Sequence, residues 1–133
     1  METETISVRT GDSTITDLTD RAAAFVDGRP DGLLNVFVPH ATAGLALIET
    51  GAGSDADLEA LLHEHLLPRD RPYRHAHGSA GHGADHVLPA IVSPSVTVPV
   101  VGGHLTLGIW QSLVLVDTNV DNPDRTVRFS FLD

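Results

Sequence analysis

The sequence predicts an α+β fold with a mainly antiparallel sheet core and two helices of ordinary length, and three observations predict it. Apolar and polar residues alternate with the period of a half-buried strand in the C-terminal third of the chain, at Val96-Val98-Val100 and again at Val127-Phe129-Phe131. Turn residues, Gly102-Gly103 and Asn122-Pro123, separate such runs closely, as hairpins require. Two intervening stretches carry helix starts and apolar spacings of three and four. With 133 residues the chain fits one domain, residues 1–133. A domain of that size buries about two-thirds of the surface its unfolded chain exposes, so one core is attainable.

Residues 4–9 read as a first strand. Ser13 or Thr16 caps a helix running to about Val26, with Leu18, Ala22, Phe25 and Val26 on one face and Gly28 as its stop. Leu33 to Val38 is nearly unbroken apolar sequence, which predicts a strand buried on both faces, and Gly44 to Glu49 is the next strand. Ser54 opens a second helix with Asp55 and Asp57 in its first turn, directs Leu58, Leu61, Leu62 and Leu66 to the core, and ends at Pro68. Residues 69–83 form a loop and Asp85 to Val92 a short helix, where Pro89 is tolerated only in a first turn. Val96 to Val100 is a strand that Pro99 places near an edge, and Leu105, Leu107 and Ile109 continue the alternation beyond the turn. Leu113 to Val116 is a central strand, and the last strand ends the chain.

The formal net charge is −10, and all eight basic residues are arginine. An acidic chain lacks the cationic face that nucleic acids or anionic membranes require, so neither is expected as a partner. No apolar run approaches the roughly 20 residues of a membrane span, and the acidic, strand-like N-terminus does not read as a signal peptide, so a cytoplasmic location is expected. Arg69, Arg71 and Arg74 form a cationic island. It either binds an anionic small molecule through bidentate guanidinium contacts or caps a helix C-terminus and pairs with nearby acids.

There is no cysteine, so any metal site is built from histidine and carboxylate. Four of the eight histidines, His75, His77, His82 and His86, crowd one Gly-rich stretch. His82 and His86 are four apart, the spacing of one helical face, although Gly81 and Gly83 weaken a helix there. His40 ends the apolar strand and begins the small-residue run Ala41-Thr42-Ala43-Gly44, a rigid platform for a side chain aimed into a cleft. His63, His65 and His104 read as surface residues. Trp110 and Gln111 interrupt an apolar β region, where the amide needs a polar pocket to satisfy it.

Taken in order, the blocks Pro39-His40-Ala41-Thr42-Ala43-Gly44-Leu45 with Glu49, Asp55, Pro68-Arg69-Asp70, Tyr73-Arg74-His75, Ala84-Asp85-His86, Val98-Pro99-Val100, Leu105 to Gly108 with Trp110-Gln111, and Arg125 to Arg128 resemble the YjbQ family, described as secondary thiamine-phosphate synthases. The resemblance spans about residues 30–130. It implies a β-sandwich-like α+β subunit assembled as a homotrimer. It also implies a divalent metal, zinc in the first instance, held by His40, His75 and His86. Glu49 and Gln111 then fall at catalytic positions, and Thr42, Arg74, Trp110 and Arg125 at positions binding a small phosphorylated substrate. The implied reaction joins a pyrimidine diphosphate to a thiazole phosphate with loss of pyrophosphate. Several positions depart from the family pattern: Ile48 stands where asparagine is usual, His82-Gly83 replaces an Asp-Asn pair, Leu88 a lysine, Ser93-Pro94 a glycine, and Asn122-Pro123-Asp124 a Gly-Pro-Arg-like turn. His77 and His82 are read as loop residues particular to this chain. For the two ends of the histidine stretch to meet His40, loop 69–86 has to wrap back over the mouth of the sheet. The alternatives are a metal or small-ligand binding module without turnover, and a trimer whose histidines only hold the interface.

Overall fold

The computed structural model describes residues Met1–Asp133. Its strands are β1 (Glu2–Arg9), β2 (Ile15–Asp17), β3 (Gly32–Phe37), β4 (Ala43–Ile48), β5 (Ser95–Val101), β6 (His104–Leu105), β7 (Ser112–Asp117) and β8 (Asp124–Leu132). Its helices are α1 (Thr19–Val26), α2 (Ser54–Ala60), which runs on into a π-helical stretch (Leu61–Leu66), and α3 (Gly83–Ile91). All strand pairs are antiparallel: β1-β8-β3-β5-β6 form a large sheet and β2-β7-β4 a small one. No helix is long and apolar enough to cross a membrane.

The layers follow from strand alternation. Along β7, Leu113 and Leu115 point into the core between the two sheets, where they meet Leu34, Val36, Val127 and Phe129 with Phe25 and Val26 of α1. Val114 and Val116 point the other way, onto Leu62, Leu67, Ala84 and Leu88 of the helical layer. β7 is therefore the strand buried on both faces, as its unbroken apolar run requires. Each of these fully buried side chains contributes about 1.5–3 kcal/mol relative to exposure.

Several expectations are corrected. β3 is buried on one face only, with Leu33 44% and Phe37 40% exposed, because the large sheet has the small sheet on one side and nothing on the other. The first helix starts at Thr19, not at Ser13 or Thr16: Ile15 to Asp17 pair with β7 instead, and Asp17 Oδ1 accepts the Thr19 N–H at 2.8 Å. Ser54 lies within α2 without capping it, and Gly53, with φ near +112°, occupies the cap position. The π-helical stretch lets the Leu67 N–H reach back five residues to the Leu62 carbonyl at 2.8 Å, which widens the turn. That shift in phase buries Leu62 and Leu67 and leaves Leu61 and Leu66 exposed. Pro89 sits well inside α3, beyond its first turn. Beyond the β5–β6 turn only His104 and Leu105 pair, and Leu107 to Gln111 form an exposed loop.

Candidate metal centre

The turns of the loop after the π-helical stretch gather imidazoles at the N-terminus of α3. His82 lies immediately before the helix and His86 one turn into it, so the four-residue spacing puts both rings on one face. Their Nε2 atoms are 3.0 Å apart. His75 comes from the loop and stacks against them, its ring centroid 4.0 Å from that of His86. One nitrogen from each of His75, His82 and His86 falls within 4.8 Å of the others.

Two carboxylates fix the direction of His82. Its Nδ1 lies 3.2 Å from Asp85 Oδ2 and 3.1 Å from Asp121 Oδ2. An ionised carboxylate only accepts, so Nδ1 carries the proton and Nε2 turns a lone pair toward His86. Asp85 is wholly buried and held in turn: Arg69 Nη1 and Thr118 Oγ1 each donate to its Oδ1 at 2.8 Å. Asp121 accepts the Ser79 N–H at 3.1 Å, and this bond, with the Ser79 side chain and the nearby His82 and Arg69, holds its carboxyl below the usual range.

Burial pushes the His75 imidazole down from its ordinary value, with the charges His77 and His82 would carry adding to the effect. His86 is lowered for the same reason, desolvation first and then the other three histidines, against an opposing pull from Asp85. Both are thus neutral bases at pH 7, the protonation state a metal ligand needs. His75 Nδ1 is buried with no hydrogen-bond partner. An orphaned imidazole nitrogen and two facing Nε2 atoms fit a cation: tetrahedral zinc bonds nitrogen at about 2.0–2.1 Å, which sets neighbouring ligand atoms about 3.3 Å apart.

His40 is not among these three. It sits just past β3, and its Nε2 accepts the Thr126 N–H at 2.9 Å, so that lone pair is already engaged. Burial and the Arg125 guanidinium lower its pKa. His40 belongs instead to a buried polar cluster at the neighbouring strand ends. There Arg125 grips Asp117 with two bonds, Nε to Oδ2 at 2.6 Å and Nη2 to Oδ1 at 3.1 Å, and its Nη2 also donates to Thr42 Oγ1 at 2.9 Å. Asn119 Nδ2 donates to the same Thr42 hydroxyl at 3.3 Å. Thr42 and Arg125, both expected at substrate-binding positions, lie in contact here and hydrogen-bond each other. Arg74 is exposed beside His75.

Glu49, Trp110 and Gln111 lie elsewhere in the chain. Ala43 pairs with Asp117 and Ile48 with Ser112, so Glu49 and Gln111 flank the end of the small sheet opposite the histidines. Five strand steps separate the two ends by about 17 Å. Gln111 accepts the Gly108 N–H and borders a groove of about 520 Å³ with Thr19, Asp27 and His104. Trp110 is 70% exposed and Ile109 88%.

Sequence reasoning missed His82, Asp85 and Asp121 as site residues. The four-residue spacing of His82 and His86 was the available signal, masked by the flanking glycines. Gly81 and Gly83 are there for another reason: a Cβ on Gly81 would collide with Arg69, and one on Gly83 with Tyr73, so both mark where the loop packs against its own start.

Comparison with known proteins places this architecture. Residues 4–133 match the family model described as "UPF0047 protein YjbQ-like". The chain is 64% identical over 133 residues to a UPF0047 protein of Mycobacterium tuberculosis, covering 100% of this chain and 99% of that one. It is 28% identical over 116 residues to the UPF0047 protein YjbQ of Salmonella typhimurium, covering 83% and 82%. A hypothetical protein from Aeropyrum pernix K1 superposes with a TM-score of 0.88 at 32% identity, over 99% of this chain and 98% of that one. A YbjQ-like protein of unknown function from Sulfolobus solfataricus shares the fold with a TM-score of 0.87 at 24% identity, over 98% and 95%. A match along nearly its whole length, in sequence and in fold, makes this chain a member of the YjbQ-like UPF0047 family.

Proposed function

We propose that the chain is a metal-binding protein whose divalent ion, zinc in the first instance, is held by His75, His82 and His86, and that it acts on a small phosphorylated compound as a homotrimer. The observation that carries the reading is the convergence of one nitrogen from each of three imidazoles, in a cluster where His75 Nδ1 is buried without a partner and two carboxylates hold the His82 ring. Zinc held by three imidazoles supplies a Lewis acid with one open position. Asp85 and Asp121 keep His82 in the tautomer that leaves Nε2 free, and Arg74, exposed beside His75, is the cation offered to a phosphate. The reaction put forward is the thiamine-phosphate synthase type, joining a pyrimidine diphosphate to a thiazole phosphate as pyrophosphate leaves.

The alternative is a metal or small-ligand binding module without turnover. It is favoured by the placement of Glu49 and Gln111 at the far end of the small sheet, away from the histidines of their own chain. The homotrimer comes from the family resemblance, and Ile109 and Trp110, adjacent apolar side chains left open to solvent, are the surface it would cover.

Native mass spectrometry of untagged protein reconstituted with zinc tests ion and assembly together. Three chains carrying three ions are expected, and a monomer that takes up none contradicts the reading. Consumption of the two phosphorylated compounds by that same sample separates enzyme from binding module. Desolvation lowers the His75 and His86 imidazoles from their ordinary value in the metal-free fold, which favours the neutral form that binds zinc. Zinc affinity is therefore expected to hold down to about pH 6.5 and to fall below it. Affinity unchanged at pH 5 contradicts histidine ligation.

A further inference from the structure

His77 is the fourth imidazole of the group. Its ring centroid lies 4.0 Å from His75, 5.7 Å from His82 and 6.1 Å from His86, yet it stands outside the set of nitrogens that converge within 4.8 Å. The backbone beside it is pinned. Gly78 takes φ near +83° and passes so close over the site that a Cβ would lie 2.8 Å from His82 Cδ2 and 2.9 Å from Asp121 Oδ2, so only glycine fits. Ser79 is tied by its N–H to Asp121 and by its hydroxyl, which accepts from Arg69 Nη2 at 3.1 Å. The carbonyl of Ala80 accepts from Arg69 Nε at 3.3 Å. With the chain held on that side, the free coordinates of the exposed His77 are its two side-chain torsions: χ1 moves in staggered steps and χ2 turns over a broad range. His82, by contrast, is buried and clamped by two carboxylates. The same loop lines a cleft of about 220 Å³ whose wall includes Arg71, Tyr73, His75, His77, Ser79 and His82, so a cation faces whatever enters beside the imidazoles.

Resting on the metal reading above, we propose that His77 is a displaceable fourth ligand. Rotation of its side chain closes the three-imidazole site into a four-imidazole one, and a small anion entering the cleft past Arg71 takes its place. Three imidazoles leave a tetrahedral ion one position short, and His77 is the nearest unattached donor in the group. The site is then closed at rest and opens only to an anionic donor, which protects the ion from loss and from adventitious ligands.

The test uses the full-length protein loaded with cobalt(II), whose visible bands report coordination, and azide as the anion. Azide is expected to bind His77→Ala at least about tenfold more tightly than the wild type, since a position blocked nine-tenths of the time lowers apparent affinity tenfold. His77→Gln is expected to behave like the alanine variant, and the wild-type cobalt bands are expected to shift as azide displaces the imidazole. Equal azide affinity in all three proteins, with cobalt bound equally, overturns the role of His77 and leaves the three-histidine site standing. Failure of wild type and variants alike to bind cobalt overturns both.

Discussion

Asp85 ties together three other side chains around the site. One of its oxygens takes hydrogen bonds from Arg69 and Thr118 and the other faces the His82 ring, and Asp85 itself is wholly buried. Asp85→Asn keeps the shape but places an amide N–H₂ against groups that themselves donate. Removing an outer-shell partner of this kind is expected to lower zinc affinity about 10–100-fold, measured by competition with a chromogenic chelator. The Arg69 contact goes with it, so denaturant unfolding of the metal-free variant is expected to show a loss of about 1–3 kcal/mol. Unchanged zinc affinity contradicts the orienting role. At this scale the sequence was partly legible. The four histidines of the stretch stand out by composition, and the resemblance picks out His75 and His86, whereas Asp121 reaches His82 from a different strand end, and nothing local announces such a contact.

Among the elements, α3 matters most, because it carries the histidine pair and has to dock on β4. Gly44 makes that docking possible: a Cβ there would run into the Val92 carbonyl at the end of α3, and beside it the Leu45 N–H donates to the Ser93 carbonyl at 2.7 Å. Gly44→Ala is expected to destabilise the fold by about 1–3 kcal/mol in denaturant and to weaken zinc binding as α3 is pushed off its seat. A neutral effect on both contradicts this packing. Strands such as β1, β5 and β8 were legible because alternation is a local signal. The three-residue β2 was not, since pairing with β7 rather than its own sequence decides its conformation. The π-helical turn that exposes Leu61 and Leu66 was equally hidden, for it shifts the helical phase without any proline or glycine to mark it.

On the scale of the whole molecule, β7 organises both cores and delivers its last residue and those that follow to two polar centres. Asp117 and Asn119 hold the Arg125–Thr42 cluster, while Thr118 and Asp121 hold Asp85 and His82. Loop 69–86 was expected to bring His75 and His86 to His40; it reaches the β7–β8 connection, where the Ser79 N–H donates to Asp121, and its histidines gather without His40. The resemblance led to His40 as the partner of His75 and His86; the proposed site has His82 there instead, because the His40 Nε2 lone pair accepts the Thr126 N–H. Which histidines share an ion is decided by the zinc content of folded His82→Ala and His40→Ala proteins after identical reconstitution and dialysis. His82→Ala is predicted to lose its ion and His40→Ala to retain one per chain. Full zinc in His82→Ala with loss in His40→Ala would contradict the account.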